Sequence, residues 1–148
     1  MKIEKFKKQA TLRITTGGRL DVNFFLGHSD DTHQGDETII DILNSEVTFF
    51  TLEDILANEI ILIGKSQFRD VQISERDLRP ETLESPEIPV EVELINGDVL
   101  EGSFFTEMPP DRLRLSDYLN FTSQFVYLCG DQNDLILNKD YILSARQQ

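Results

Sequence analysis

Leu12-Arg-Ile-Thr-Thr-Gly-Gly-Arg-Leu-Asp-Val-Asn-Phe-Phe25 and Val92-Glu-Leu-Ile-Asn-Gly-Asp-Val-Leu-Glu-Gly-Ser-Phe-Phe105 align without a gap at an offset of 80. Gly17/Gly97, Leu20/Leu100, Phe24/Phe104 and Phe25/Phe105 are identical; Leu12/Val92, Ile14/Leu94 and Asp21/Glu101 are conservative. Two further blocks follow in the same order. Asp41-Ile-Leu-Asn44 lies over Asp117-Tyr-Leu-Asn120 at offset 76, which brings Phe49 over Phe125 and Leu52 over Leu128. Ile61-Leu-Ile-Gly-Lys65 lies over Leu135-Ile-Leu-Asn-Lys139 at offset 74. Ordered blocks whose offset drifts by only six residues predict an internal duplication with length changes confined to loops. The plainer alternative is a pair of unrelated hairpins with the same turn chemistry.

Within each copy the pattern is that of short strands. Thr11–Thr15 alternates apolar and polar residues, Thr16-Gly17-Gly18 turns the chain, and Leu20, Val22 and Phe24 resume the alternation. In the second copy Val90, Val92 and Leu94 point one way and Glu91 and Glu93 the other, before Asn96-Gly97. That pair tolerates positive φ at both central positions of a hairpin turn. A loop and a short helix come next. Ser116 is a candidate N-cap and Asp117 lies near the positive end of the helix dipole, with Leu115 and Leu119 on one side. Phe125–Leu128, Leu135–Leu137 and Tyr141–Leu143 then read as strands, matched by Val47–Phe50, Ile60–Ile63 and Phe68–Ile73.

Five short strands in about 60 residues suit a small bent sheet or open barrel. The expected fold is therefore mainly β with short helices (α+β), a tandem repeat of two such sheets. Units this small bury little surface alone, so the two are expected to share a core or pack as a pseudo-dimer. The expected organisation is a basic N-terminal arm at 1–10, a first β repeat at 11–73, a linker at 74–89 and a second β repeat at 90–148. The linker Ser74–Pro89 carries three prolines, five acids and two arginines, which favours extended or irregular chain.

Arg112-Leu-Arg-Leu-Ser-Asp-Tyr-Leu-Asn120, followed by Phe125-Val-Tyr-Leu128 and Ile136-Leu-Asn-Lys139-Asp-Tyr-Ile142, resembles a family of small bacterial domains of unknown function. Those carry an RLSD-x-LN segment after a β-hairpin and an (I/L)-NK-x-x-I strand near the end. Arg114, Leu115, Ser116, Asp117, Leu119 and Asn120 match the first element; Ile136, Asn138, Lys139 and Ile142 approximate the second. The first copy matches only at Asp41, Leu43, Asn44 and Lys65, and lacks the Arg-Leu-Ser. The resemblance implies a bacterial origin and a small Sm-like or SH3-like β-fold, and implies no activity.

Charge narrows the partners. The 148 residues hold 27 Asp and Glu against 14 Lys and Arg, a net charge of −13. Nucleic-acid affinity comes largely from cations that neutralise phosphates, and here the mean field repels a polyanion. The one basic cluster is Lys2, Lys5, Lys7 and Lys8, opposed by Glu4. It reads either as an arm touching an acidic partner or membrane surface, or as a frayed solubilising terminus. Ile3 and Phe6 are spaced to dock as one helical turn, which is marginal alone. No run of about 18 apolar residues is present and the N-terminus lacks an apolar signal region, so a cytoplasmic protein without stable membrane insertion is expected. A single cysteine, Cys129, excludes an internal disulfide and a cysteine-based zinc site.

Candidate chemistry is sparse. His28-Ser-Asp-Asp-Thr-His33-Gln-Gly-Asp-Glu37 holds both histidines, but its spacing fits no zinc motif and it sits in a loop, so no metal is expected. Asp131-Gln-Asn-Asp134 lacks the Gly and closing Glu of a calcium loop and reads as a hairpin turn. Gly17-Gly18 and Asn96-Gly97 open no helix and so cradle no phosphate. Cys129 ends an apolar strand without a neighbouring cation, as an inert thiol does. No catalytic, cofactor-binding or metal residues are assigned, and no enzyme is expected.

Phe25 and Phe105 are the candidate partner contacts, since adjacent Phe pairs put one ring on each face of a strand. Lys65 and Lys139 join them as repeated polar positions, with helix C-capping by Asn44 and Asn120 and edge protection by the lysines as structural readings. The leading expectation is a non-enzymatic cytoplasmic interaction module with a basic protein partner, presenting sheet edges to peptides, with homo-oligomerisation allowed. The alternative is a small-ligand or metal-binding regulator using the 26–40 loop. An Sm-like RNA binder rests on fold analogy alone and runs against the charge.

Overall fold

The computed structural model of the chain describes residues 5–28, 36–109, 111 and 113–148. These residues form ten strands and three short helices, and the protein is mainly β, with two antiparallel sheets that do not close. The strands are β1 (Lys5–Ile14), β2 (Arg19–Gly27), β3 (Phe49–Asp54), β4 (Glu59–Gly64), β5 (Phe68–Ile73), β6 (Glu87–Leu94), β7 (Val99–Phe105), β8 (Phe125–Leu128), β9 (Asp134–Asn138) and β10 (Ile142–Gln147). The helices are α1 (Ile39–Leu43), α2 (Pro80–Leu83) and α3 (Leu115–Phe121). Single 3-10 turns, Lys65–Gln67 and Lys139–Tyr141, lead into β5 and β10.

One sheet runs β4-β3-β2-β1-β5-β9-β8 and the other β10-β6-β7. An isolated antiparallel bridge between Ser103 and Cys129 ties β7 to β8, with reciprocal N–H···O bonds of 2.9 Å. The ten strands thus lie along one open path whose two ends are β4 and β10.

Both hairpins at the start of the halves are built alike. Leu12 faces Leu20 and Val92 faces Leu100. Gly17 N–H donates to Ile14 at 2.9 Å with φ +97°, and Gly97 N–H to Leu94 at 2.9 Å with φ +96°. Asn96 does not share the positive φ expected of it; the turn places one residue, the glycine, in the left-handed region. This is the three-residue hairpin loop that ends in a glycine bulge, rather than the two-residue loop. Leu12 pairs with Val71 and Val92 with Ala145, and each ladder shifts register at the next step, between Arg13 and Ile14 and between Ile142 and Ser144. Phe49 faces Gly64 as Phe125 faces Asn138.

Alternation explains the burial. Leu12, Val22, Phe24 and Leu26 are buried in a first core with Ile39, Leu43, Leu52, Phe68 and Val71. Ile88, Val90, Val92, Leu94 and Phe104 are buried in a second, with Leu115 and Tyr118 of α3. β8 and β9 serve both. Phe125, Tyr127 and Ile136 point into the first core, and Val126, Leu128 and Leu137 into the second. Phe68 sits at this seam, with its ring centroid 5.4 Å from Phe50 and 6.4 Å from Phe24 and Phe125.

Several local expectations are corrected. Lys5, Phe6, Lys7 and Lys8 are the start of β1, because β2 extends to Gly27 and offers them partners. Lys2, Ile3 and Glu4 lie outside the described residues. Ser116 does not cap α3: the helix begins at Leu115, its N-cap is Arg114, and no side chain caps it. The cap appears on α1 instead, where Thr38 and Asp41 bond reciprocally to each other's backbone N–H. The proline-rich connection holds one helical turn, and β6 already starts at Glu87 with Ile88 buried. Pro89 sits near the start of that strand, just past the last β10–β6 pair, Gln147 with Val90, where Gln148 N–H donates to its carbonyl at 3.0 Å; its missing N–H therefore falls at the end of a ladder.

Candidate functional site: an acidic cleft and two open edges

A cleft of about 1250 Å³ opens where the two halves meet. Its walls come from α1, the end of β2, the 77–82 connection, the end of β7, α3 and the start of β8. The capping box fixes α1, and Asn44 at its C-terminal end donates to the Phe125 carbonyl at 3.0 Å and accepts from the Phe125 N–H at 2.9 Å. One side chain thus completes the edge of β8 across the seam. Ile40, Phe105, Met108 and Val126 supply apolar surface.

The polar lining is mostly acidic. Glu37, Asp41, Asp77, Glu81 and Glu107 line the cleft, against Lys5 and Arg79. Arg79 forks onto Asp41 at 2.7 and 3.2 Å. Burial pushes the Asp41 carboxyl upward, but Arg79 and the Thr38 bonds outweigh it and hold the group below its usual value. Burial dominates at Asp77 and raises it, with the Ile39 N–H at 2.9 Å and Lys8 at 3.6 Å only partly compensating. Tyr127 lies between the cleft and the ion pair of buried Asp134 with half-exposed Arg76: its hydroxyl accepts from the Asp77 N–H at 2.9 Å and donates to Asp134 at 2.7 Å. Burial raises the Tyr127 phenol far above its ordinary value. Asp134 also accepts from Arg76 at 2.9 and 3.1 Å and from the Gly130 N–H at 3.1 Å. The arrangement is a fixed polar wall with surplus negative charge, suited to holding a cationic segment by charge and apolar contact.

The residues marked in the sequence separate here. Phe105 is half-buried and lines the cleft. Phe25 is half-buried on the face of β2 opposite Phe24 and lies outside the cleft lining. The two lysines are engaged within the fold. Lys65 donates to the Ser45 carbonyl at 2.6 Å after α1, and Lys139 to the Leu119 and Thr122 carbonyls at 2.7 and 2.8 Å after α3. Each neutralises the carbonyl end of a short helix, which explains its repetition. His28 packs against Phe6 with the rings tilted and their centroids 4.5 Å apart, and approaches Asp36 at 3.3 Å, while Ser29–Gly35, His33 among them, lie outside the described residues. Among the described residues no cluster of three or more potential metal ligands occurs. Burial, with the Asp134 charge, pushes the Cys129 thiol up to about 11. Asp131 to Asn133 form the turn before β9, as read from the sequence, whereas Asp134 is buried.

Arg76 and Asp77 are unmarked in the sequence reading, Asp134 is read there only as part of a turn, and Asn138 only as part of the family resemblance. The available signal was an acid or amide at the boundary of an apolar strand, as at Asp134 before Leu135-Ile-Leu137. Among the described residues no helix is long and apolar enough to cross a membrane. No protein family, curated protein or solved structure matches the chain.

Proposed function

We propose that this protein is a non-enzymatic cytoplasmic interaction module made of two tandem Sm-like units, and that its cleft takes a basic segment of a protein partner. Support for the tandem comes from the recurrence of every strand pairing: β4-β3-β2-β1-β5 in the first half has the same order as β9-β8-β7-β6-β10 in the second. The resemblance of residues 90–146 to small bacterial domains agrees with this. The observation that carries the functional reading is the cleft, with five carboxylates against two cations around an apolar floor. RNA is the less favoured ligand. Lys7 and Lys8 already meet Glu53 and Asp77 at 3.1 and 3.6 Å, which leaves little of the basic cluster for phosphates.

The test is a titration with an unstructured peptide alternating Lys or Arg with apolar residues. Reversing two cleft charges, Glu81→Lys and Glu107→Lys, is expected to weaken binding about tenfold or more. Reversing Glu101 and Asp131, which do not line the cleft, is expected to cost less than about threefold, the mean-field share. Equal losses from both pairs would mean that net charge alone attracts the peptide, and the cleft would be rejected as the site.

A further inference from the structure

We infer that the chain associates head to tail with further copies of itself, β10 of one molecule pairing with β4 of the next as β5 pairs with β9 inside each molecule. This rests on the tandem reading above. The internal joint provides the template. β5 and β9 pair antiparallel with Val71 opposite Ile136 and Gln72 opposite Leu135. Shifting both strands to their counterparts, β5 to β10 by +74 and β9 to β4 by −74, places Ala145 opposite Leu62 and Arg146 opposite Ile61.

The counterparts differ in exposure in the way an empty joint requires. Phe125 and Ile136 are 1 % and 0 % exposed, because the first half covers them. Their counterparts Phe49 and Leu62 are 63 % and 65 % exposed, and Ile60 beside them is 57 % exposed. Phe49, Leu62 and Ile60 share one face of the β3–β4 hairpin, at the open end of the sheet path. At the other open end Leu143 of β10 is 62 % exposed. Uncovered apolar edge strands template pairing with another chain. A complementary edge is present in every copy.

A second contact points the same way. Asn44 clamps the backbone of Phe125 through both side-chain polar atoms. Among the described residues its counterpart Asn120, exposed at the end of α3, bonds only within its own helix, to the Ser116 carbonyl. In the head-to-tail pair Asn120 faces the Phe49 backbone of the next copy.

The outer joint is the weaker one, for reasons visible in the sequence. Tyr127, Cys129 and Asp134 of the inner joint are replaced by Thr51, Glu53 and Ile60. Asn138 donates across the inner joint to the Phe68 carbonyl at 2.9 Å, and its counterpart is Gly64. Gly64 has φ −67° and ψ 137°, close to −76° and 119° at Asn138, so an asparagine is sterically allowed there. A Cβ at Gly64 meets the side chains of Phe49, at 3.4 and 3.7 Å, and Gln67, at 3.9 Å, all at ordinary contact distance. The association is therefore reversible, and one substitution strengthens it.

Sedimentation velocity from about 5 to 200 μM, with circular dichroism confirming the fold of each variant, tests this. Because each copy carries −13, association is expected to tighten with salt, opposite to the binding of a basic peptide. Gly64→Asn is expected to lower the dissociation constant about tenfold, the worth of one buried hydrogen bond. Leu62→Lys is expected to abolish association, and Asn120→Ala to weaken it. Association in the wild type or in Gly64→Asn that Leu62→Lys removes supports the proposal. Monomers for both wild type and Gly64→Asn at 200 μM in high salt, or oligomers indifferent to Leu62→Lys, overturn it. Since the peptide titration is read on the cleft, it stands or falls independently of this result.

Discussion

Phe68→Ala is expected to lower the stability of the whole molecule by ~3–5 kcal/mol, the range for truncating a fully buried aromatic ring. Phe68 is completely buried, and its ring meets Phe24 and Phe50 on one side of the seam and Phe125 on the other. Backbone relaxation has little room to refill the space, because β5 is held by ladders to β1 and β9. The loss is to be read in urea as a lower midpoint with an unchanged slope. Both halves are expected to unfold in one transition in the wild type, since the second half lends Phe125, Tyr127 and Ile136 to the first core. Two separate transitions, or a loss below about 1 kcal/mol, would mean that Phe68 is not at a shared seam.

Asp134→Ala is the second large effect. Its carboxylate takes two bonds from Arg76, one from the Tyr127 hydroxyl and one from the Gly130 N–H, at 4 % exposure. Truncation leaves the phenol proton without its acceptor in a buried site. A cost of ~2–4 kcal/mol is expected, most of it from stranded polar groups. Little comes from Arg76 itself, whose side chain is nearly half exposed and solvates readily. The pH dependence follows from the direction of the shift. Burial raises Asp134, yet Arg76, Tyr127 and Gly130 together hold it below its usual value. Below about pH 4 the unfolded chain takes up a proton that the folded carboxylate resists, so this stabilisation is present above that pH and lost as pH falls through the folded pKa. Asp41, lowered by Arg79 and Thr38, adds to the same acid limb, while Asp77, raised by burial, opposes it. Melting temperatures from pH 2 to 7 are expected to show a flatter acid limb in Asp134→Ala. An unaltered limb would remove Asp134 from the account.

How much of this was legible in the sequence depended on how local the cause was. The hairpins were readable because their signals, alternation around Leu12 and Val92 and the glycine at 17 and 97, act within ten residues. The start of β1 was not, because Lys5-Phe-Lys-Lys8 looks like a solvated arm until β2 gives it a ladder. Likewise the connection after Ser74 reads as loose chain, yet Asp77 and Arg79 lock onto α1 through contacts 38 residues apart. The cleft was invisible for the same reason: its walls are brought together only by the seam. Lys65 and Lys139 each close a short helix, a role in the fold that looks the same in an alignment as a shared partner contact. On the proposed tandem reading, the informative positions are those where the two halves differ, Gly64 against Asn138 and Ile60 against Asp134, since Asn138 and Asp134 lie where β9 packs on the first half while Gly64 and Ile60 lie on the open edge strand β4.

The claim that this module engages a basic protein segment rather than nucleic acid is tested most directly by fluorescence anisotropy with two labelled probes, the basic peptide and a single-stranded RNA, at about 150 mM salt. Removing the first residues is unsuitable as a control, because Lys5–Ile14 is a core strand; Lys5→Gln, Lys7→Gln and Lys8→Gln together serve instead. The expected result is saturable binding of the peptide and a flat RNA signal. Micromolar or tighter RNA binding that persists in the triple glutamine variant, with no binding of the peptide, would contradict the account and leave the RNA-binding reading in its place.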